Sequence, residues 1–426
     1  MDTFDVVVLG AGSGGERLAG LLAERGRTVA VVEAGRVGGE CPYTACIPSK
    51  ALLRSAAARH DARRLVELGA ASRALELDRD EEAWSAAVRR RRDRQEQLED
   101  TAAAQALQDK GVALFRARGT VTVDGAVQAG ERLLKGSDLV LATGAEAVRL
   151  DTFPDAWTSD DALSGDELPA SLLVVGGGAI GCELAQVYAR FGVAVTLVES
   201  ADQLLGKEEP RVAAAVADLL RDDGIDVRLG TDAAGLSAER VLVAVGKRPR
   251  TDAFTALGLT LSEDGAIEVD EQCRAADSVY AVGDVTASSS YTHTANYQAD
   301  VVADVLTGVQ RRVDLTAVPR CVYTDPPVAS VGSLDAAHTA CVDLSELPRC
   351  ATDGVTRGLL VLASDGEVLT GAAAFGLHAD ELLAEATLAV RARVPLQVLA
   401  DVIRPFPTVG EAYLPAVQQL IASART

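Results

Sequence analysis

The feature that most constrains the fold of this chain is an internal repeat. In the first copy an apolar strand leads into the glycine-rich segment 10–15, a helical pattern, and a second strand that ends at Glu33. The second copy runs in the same order through the glycine-rich segment 176–181 to a strand that ends at Glu199. Each glutamate follows the first glycine of its copy by 23 residues. The repeat predicts an α/β fold with two Rossmann-like units.

A glycine-rich turn of this kind is typical of dinucleotide binding. Glycine lets phosphates approach the backbone, and the N-terminus of the following helix stabilises their charge. A carboxylate at the end of the second strand accepts hydrogen bonds from ribose hydroxyls. One glycine pattern alone is weak evidence, whereas two complete copies predict two dinucleotide sites, with the second unit inserted into the first domain. The alternative is a duplicated sheet that binds one nucleotide or none.

Charge and composition exclude several classes of protein. The 426 residues are too many for one core, and the net charge of −21 argues against nucleic acid and anionic membranes as partners. The arginine run 89–92 lies among polar residues and predicts a solvated helix face. No apolar stretch reaches the roughly 18 residues that a membrane span requires. Because there is also no signal-peptide pattern and the cysteines number seven, we expect a cytoplasmic protein without a disulfide scaffold.

Cys41 and Cys46 are separated by four residues and lie just after the first repeat. Such a pair can be structural, can bind a metal or can form a redox couple. Metal binding would need a second pair or a histidine cluster nearby, and the sequence shows neither. Pro48 marks a helix start, so Cys46 would lie near the positive end of a helix, which lowers the pKa of a thiol. This position favours redox chemistry.

Taken in order, these motifs resemble the flavoprotein disulfide reductases, which include glutathione reductase, dihydrolipoamide dehydrogenase and mercuric reductase. The resemblance covers nearly the whole chain. It rests on the segments 10–15, 41–50, 142–144, 176–183, 243–246, 280–284 and 323–326.

The resemblance implies a role for each site residue. Cys41 is implied to be the interchange thiol that meets the substrate, and Cys46 the charge-transfer thiol on the flavin. Lys50 is implied to lie by the flavin and to pair with Glu183 on the nicotinamide side. Tyr43, inside the redox loop, is a weak candidate proton donor, because an unperturbed phenol is a poor acid at neutral pH. The implied cofactor-binding residues are Gly10, Gly12, Ser13, Gly14, Gly15, Glu33, Gly39, Glu40, Lys50, Thr143, Gly144, Gly176, Gly178, Ile180, Gly181, Glu199, Gly246, Gly283, Asp284 and Ala295.

The implied cofactors are FAD and a nicotinamide dinucleotide. Glu199 offers a carboxylate where the 2′-phosphate of NADPH would need an arginine, and residues 200–206 contain no basic side chain. We therefore expect NADH to be preferred to NADPH. No metal site is predicted.

One family motif is altered near the C-terminus. Reductases of this type carry a histidine and a glutamate there, which donate a proton to the leaving thiol; this chain keeps the glutamate as Glu411 but has Phe406 in place of the histidine. Without that acid, the substrate should be an oxidised small thiol or thione-type disulfide whose product leaves readily. A metal ion or a quinone is the alternative acceptor, although the C-terminal cysteine pair of mercuric reductase is missing. A flavin-binding redox sensor without turnover is a further alternative.

We expect three domains. The FAD-binding domain is predicted at 1–147 and 248–312, the NAD(H)-binding domain at 148–247, and a C-terminal α/β dimerisation domain at 313–426. The resemblance implies a homodimer in which Phe406 and Glu411 complete the active site of the partner subunit.

Overall fold

The computed structural model describes residues 1–77, 80–95, 98–286, 288 and 290–425. The last residue of the predicted third domain, Thr426, therefore lies outside the described residues. The α-helices are α1 Ser13–Glu24, α2 Cys46–Arg63, α3 Asp80–Arg94, α4 Thr101–Asp109, α5 Ser159–Ser164, α6 Ala179–Arg190, α7 Pro210–Asp222, α8 Thr292–Leu306, α9 Pro348–Thr352, α10 Ala379–Ala392, α11 Leu396–Ala400 and α12 Tyr413–Ser423. Short 3-10 helices lie at Asp252–Leu257, Gly283–Val285, Leu344–Glu346 and Val409–Ala412.

Strands alternate with α-helices in the two repeats, whereas several strands follow one another elsewhere in the chain. They are β1 Asp2–Leu9, β2 Val29–Glu33, β3 Ala113–Arg116, β4 Gly119–Val121, β5 Val127–Ala129, β6 Arg132–Leu141, β7 Ala145–Ala147, β8 Ser171–Val175, β9 Ala194–Val198, β10 Asp226–Arg228, β11 Arg240–Val243, β12 Lys247–Pro249, β13 Arg274–Ala276, β14 Val279–Ala281, β15 Arg320–Val322, β16 Val328–Gly332, β17 His338–Asp343, β18 Leu359–Ser364 and β19 Leu369–Phe375.

The chain divides into two compact units, and the division falls within α2 and α3. The first unit consists of Met1–Pro48, Arg90–Val148 and Gly246–Leu315, and the second of Ser49–Arg89, Arg149–Val245 and Thr316–Thr426.

The first unit is built on a sheet in the order β13-β14-β6-β1-β2-β3, in which β14, β6, β1, β2 and β3 are parallel. Strand β2 and the ends of β1 and β6 are runs of valine, leucine and alanine that are buried on both faces, as a parallel sheet covered by helices requires. Helices α1 and α8 pack on each other, and Leu18 and Val302 of these helices are fully buried. β1 begins at Asp2, earlier than its apolar run, because residues 2–4 pair with β6.

The second unit contains two sheets. A four-stranded parallel sheet has the order β10-β9-β8-β11, and α6 packs on it. A five-stranded antiparallel sheet has the order β15-β16-β19-β18-β17 and is covered by α10 and α12. The predicted fold class is therefore confirmed, with two parallel dinucleotide-type sheets and a C-terminal α/β layer. The assignment of each range to a domain stays a prediction.

The arginine run on α3 was predicted to be a wholly solvated face, and this is wrong for one residue. Arg91 is fully buried, while its neighbours Arg89, Arg90 and Arg92 are exposed. The helix turns one arginine in four inward, because a 3.6-residue period cannot keep four consecutive side chains on one face. Over the described part of the chain, no helix combines the length and the apolar character needed to cross a membrane.

Candidate active site

The two glycine-rich turns are crowded at the same positions. The first glycine of each copy has a positive φ, +103° at Gly10 and +107° at Gly176. A Cβ at Gly176 would lie 2.6 Å from the carbonyl oxygen of Ala244, and one at Gly15 or Gly181 would overlap the carbonyl oxygen of the first glycine of its own copy. Each turn therefore needs glycine at both places so that the helix can pack closely on the strand.

The middle glycine of each turn is open instead. Gly12 and Gly178 are the N-cap residues of α1 and α6, and a Cβ at either position would meet no atom within 4 Å. The space over each helix N-terminus is therefore free for a ligand. Backbone N–H groups and the helix dipole favour an anion there, so both turns fit the pyrophosphate of a dinucleotide.

The terminal glutamates make matching hydrogen bonds. Glu33 Oε2 accepts a hydrogen bond from the Ala11 backbone N–H at 2.6 Å, and Glu199 Oε2 accepts one from Gly177 at 2.7 Å. The other oxygen of Glu199 accepts a hydrogen bond from Ala201 at 2.9 Å. Each carboxylate thus fixes its turn and retains lone pairs that can accept hydrogen bonds from ribose hydroxyls.

Several predicted FAD-binding residues lie close to the first glycine-rich turn, 10–15. Gly14 packs against Ala295 of α8, and a Cβ at Gly39 would lie 2.8 Å from the Cα of Gly12. The Thr143 hydroxyl donates to the carbonyl oxygen of Arg250 at 2.6 Å. Of the remaining predicted positions in this unit, Ser13 begins α1, Gly283 begins the 3-10 helix 283–285, and Gly144 and Gly246 directly precede β7 and β12.

Glu40 forms an ion pair that the sequence did not predict. Its Oε2 lies 2.5 Å from Lys247 Nζ and its Oε1 lies 3.4 Å from Arg250 Nη2. Asp284 lies near these groups; burial raises the pKa of its carboxyl group, Lys247 lowers it and Glu40 raises it further. Among the described residues, none forms a hydrogen bond or ion pair with the Asp284 side chain, so its carboxyl oxygens remain available to a hydroxyl group of a bound cofactor.

Cys41 and Cys46 lie in a tight loop of the first unit. The loop is closed by a hydrogen bond from Ile47 N–H to the Cys41 carbonyl oxygen at 3.0 Å. Helix α2 begins at Cys46, two residues before Pro48, so the predicted helix start was nearly correct. The Cys46 sulfur lies 3.6 Å from the Thr292 hydroxyl oxygen of α8, a contact between residues far apart in sequence.

Cys41 opens onto a cleft of about 510 Å³ in the first unit. This volume falls in the range of about 300–1,000 Å³ that is usual for small-molecule sites. The lining residues come from α1, the redox loop, α4 and the start of α8. They are Ser13, Glu16, Arg17, Leu21, Glu24, Gly38, Cys41, Pro42, Ile47, Ala106, Leu107, Lys110, Thr292 and Asn296.

In the second unit, Lys50 and Glu183 form the predicted pair. Lys50 Nζ lies 2.9 Å from Glu183 Oε2 and 3.1 Å from Oε1, and Glu183 is only 5% exposed. Tyr323 supports both partners, since its backbone N–H donates to Glu183 at 2.8 Å and its ring centroid lies 4.5 Å from Lys50 Nζ. Tyr323 lies in segment 323–326, one of the motifs that carry the resemblance, and no role was predicted for it. Ile180, at the start of α6, is partly exposed.

The C-terminal motif lies at the surface of the second unit. The Phe406 side chain is 73% exposed, and Glu411 accepts a hydrogen bond from the Thr408 N–H at 3.1 Å as the capping box of the 3-10 helix 409–412. Tyr43 is only 3% exposed, and its hydroxyl group lies against Gly38. This burial keeps the Tyr43 ring away from bulk solvent.

Two parallel sheets with glycine-rich turns and a dithiol loop define a nucleotide-dependent disulfide oxidoreductase. The model of the pyridine nucleotide-disulphide oxidoreductase family matches residues 4–299, and that of its dimerisation domain matches residues 318–417. The chain belongs to the pyridine nucleotide-disulphide oxidoreductase family.

Its relatives match over almost their whole length. The chain is 32% identical to a dihydrolipoyl dehydrogenase of Geobacillus stearothermophilus, over 97% of this chain and 95% of the relative. It is 33% identical to dihydrolipoyl dehydrogenase 2 of Haloarcula marismortui, over 99% and 96%. Among solved structures, the Cu(II) complex of the HOCl-induced flavoprotein disulfide reductase RclA from Escherichia coli has a TM-score of 0.85 and 25% identity, over 98% and 99% of the two chains.

These comparisons confirm the coarser predictions. The chain is a flavin-dependent enzyme that uses a pyridine nucleotide and acts on sulfur groups, and the predicted use of FAD and a nicotinamide dinucleotide is confirmed at the level of the family. The sensor without turnover is not supported by this assignment. The roles of individual residues, the substrate and the dimer stay predictions.

Proposed function

We propose that this enzyme passes two electrons from NADH through its flavin to the Cys41–Cys46 pair and on to an oxidised small thiol or thione-type disulfide. One observation carries the proposal. Cys41 lines a cleft of small-molecule size, whereas Cys46 is the first residue of α2 and lies beside the Thr292 hydroxyl group. The surroundings of Cys41 therefore suit contact with the substrate, and those of Cys46 suit a stabilised thiolate.

Each thiol has a distinct task in this account. When bound, the flavin supplies two-electron transfer from the reduced nicotinamide to the disulfide. Cys46, at the N-terminus of an 18-residue helix, is stabilised as a thiolate by the helix dipole and by a hydrogen bond from Thr292. Cys41 attacks the substrate disulfide from the cleft, and Cys46 then displaces the second thiol and re-forms the Cys41–Cys46 bond.

The Lys50–Glu183 pair is proposed to act on the nicotinamide side. Glu183 is buried and holds Lys50 in place through both carboxylate oxygens, so the Lys50 ammonium group has a fixed position. Glu33 and Asp284 are proposed to bind FAD, and Glu199 to bind the ribose of NADH. Since a carboxylate repels a 2′-phosphate, NADPH should be the poorer donor.

The substrate class follows from the altered C-terminal motif. Phe406 carries no titratable group, so a thiol of low pKa or a thione, which leaves as a stable anion or neutral molecule, is favoured. The proposed homodimer is supported by the match of the dimerisation model and by the apolar side chains of Ile403, Phe406 and Leu388, which are 97%, 73% and 67% exposed in the single chain.

The test is a panel of acceptors with NADH as donor: aliphatic disulfides, aromatic disulfides, thione dimers, quinones and metal ions. Cys41→Ser should lower disulfide turnover by at least about 1,000-fold, because the nucleophile is lost. The control is Cys341→Ser, which removes a partly buried thiol of the second unit. Full disulfide activity in Cys41→Ser would contradict the proposal and point to direct reduction of the acceptor by the flavin.

A metal ion is the second candidate acceptor. It is favoured by the neighbour RclA, whose structure is that of a Cu(II) complex, and by the affinity of thiolates for copper. If this candidate is correct, cupric ion should sustain faster NADH oxidation than any disulfide of the panel, and Cys41→Ser should lower that rate as well.

A further inference from the structure

The first two turns of α1 contribute polar and charged side chains to the cleft at Cys41. Glu16 is one of them, between Ser13 and Arg17, and is half-buried. Lys110, the C-cap residue of α4, also lines the cleft, and its charge acts on Glu16. Glu16 and Cys41 therefore line one cleft of about 510 Å³, a size suited to a small disulfide.

The other charged groups of the cleft are already paired. Arg17 Nε lies 2.6 Å from Asp300 Oδ1 of α8, and Lys110 Nζ lies 2.8 Å from Glu24 Oε1. No described residue forms a hydrogen bond or an ion pair with the Glu16 carboxylate. Burial raises the pKa of Glu16, and the charge of Lys110 lowers it in part. A carboxyl group in a cleft with a raised pKa can act as a general acid or base for a group that binds beside it.

We infer that Glu16 is the acid–base residue of disulfide reduction, taking the proton of the Cys41 thiol and delivering it to the departing substrate thiolate. This inference rests on the proposed function. It supplies a proton donor in a chain that has Phe406 at the place of the family's histidine, and it therefore extends the proposed substrates to aliphatic disulfides, whose thiolates need a proton to leave readily. Tyr43, the donor considered from sequence, is 3% exposed and does not line the cleft.

The step balances in protons and electrons. Glu16 carboxylate accepts the proton of Cys41–SH, and the Cys41 thiolate attacks one sulfur of R–S–S–R. The R–S–S–R bond breaks, its electron pair leaves on the first RS⁻, and Glu16 returns the proton to form RSH. The Cys46 thiolate then attacks the Cys41–S–S–R sulfur, so the Cys41–Cys46 disulfide forms. The second RS⁻ leaves and takes its proton from solvent through Glu16.

The test compares Glu16→Gln with Glu16→Asp and with Glu131→Gln, an exposed carboxylate in the turn between β5 and β6. Each variant is reduced anaerobically with NADH and then mixed with a disulfide in a stopped-flow instrument. Glu16→Gln should slow reoxidation by 2-hydroxyethyl disulfide by about 100-fold, the scale of general acid–base catalysis. Reduction by NADH should stay unchanged, Glu16→Asp should recover part of the rate, and Glu131→Gln should match the wild type.

Two further readouts separate proton transfer from a merely structural role. In the wild type, the reoxidation rate should rise with pH as Glu16 ionises, and this pH-dependent rise should be missing in Glu16→Gln. The decrease in rate caused by Glu16→Gln should be much smaller with 5,5′-dithiobis(2-nitrobenzoate), whose product thiolate needs no proton.

Three outcomes overturn the inference: a Glu16→Gln enzyme with the wild-type rate and pH profile, an equal loss with both disulfides, or an equal loss in Glu131→Gln. Failure of the proposed function is distinguishable, since it would appear as full disulfide activity in Cys41→Ser, whatever the behaviour of Glu16→Gln.

Discussion

The two glycine-rich repeats have nearly the same backbone and do different work. Both have a crowded first glycine, an open middle glycine and a terminal glutamate that holds the turn. They differ directly after the glycine segment, where Glu16 and Arg17 of α1 correspond to Cys182 and Glu183 of α6.

Those two positions determine what each helix can do. Arg17 and Glu16 face a cleft, and the Arg17 side chain is 46% exposed. Cys182 is fully buried, which raises the pKa of its thiol far above the ordinary value, and Glu183 is buried against Lys50. We infer from the comparison that the turn binds the nucleotide through its backbone, while the first helical turn that follows carries the chemistry specific to each site.

The largest effect should come from filling the crowded glycine of either repeat. Gly15→Ala and Gly181→Ala each place a methyl group on a carbonyl oxygen, which costs about 1–3 kcal/mol or more. Gly15→Ala should lose the bound flavin, whereas Gly181→Ala should keep it and lose reduction by NADH. Flavin absorbance per protein and anaerobic NADH titration measure the two effects; the same defect in both variants would break the comparison.

A smaller difference should separate the ion pairs formed by the equivalent positions 17 and 183. Lys50→Met leaves the Glu183 carboxylate buried and without its cation, and should lower the free energy of unfolding by about 2 kcal/mol, less than for a fully buried pair because Lys50 is 37% exposed. Arg17→Met breaks a pair with a 29% exposed Asp300 and should cost below about 1 kcal/mol. Urea unfolding of both variants measures these two losses in the free energy of unfolding. A larger loss in Arg17→Met than in Lys50→Met would contradict the prediction.

A smaller effect should separate the two terminal glutamates. Glu199→Arg removes the hydrogen bonds to Gly177 and Ala201 and introduces a cation. It should lower kcat/KM for NADH by about 10–100-fold and so reduce the preference for NADH over NADPH. The flavin content should stay unchanged. Steady-state kinetics with both donors are the measurement. An enzyme that prefers NADPH before any substitution would contradict the assignment of Glu199.

The smallest effect should be that of Asp284→Asn on the melting temperature of the flavin-free protein. Burial raises the pKa of this carboxyl group, so its ionisation opposes folding, and this penalty grows as pH rises above the ordinary value of 3.8. Asp284→Asn should therefore raise the melting temperature of the flavin-free protein slightly at pH 7 and not at pH 3. Differential scanning calorimetry at both pH values tests this; an unchanged or lower melting temperature at pH 7 would contradict it.

The sequence predicted what depends on local pattern. Both repeats, the start of α2 near Pro48 and the fold class follow from short segments, and the Lys50–Glu183 pair followed from the resemblance. Contacts between distant segments were not predictable: Cys46 meets Thr292 from 246 positions away, and Tyr323 meets Glu183 from 140. The burial of Arg91 and the placement of Glu16 in the Cys41 cleft likewise depend on how helices pack, which no local pattern encodes.

The central claim is that the electrons pass through the Cys41–Cys46 pair, with Cys46 on the flavin side. Its most direct test is anaerobic reduction with NADH, followed by absorption at long wavelength, in the wild type, Cys41→Ser and Cys46→Ser. We predict a long-wavelength thiolate–flavin band in the wild type and in Cys41→Ser, and no such band in Cys46→Ser. A band that survives in Cys46→Ser, or a wild-type enzyme that NADH reduces without one, would contradict the account.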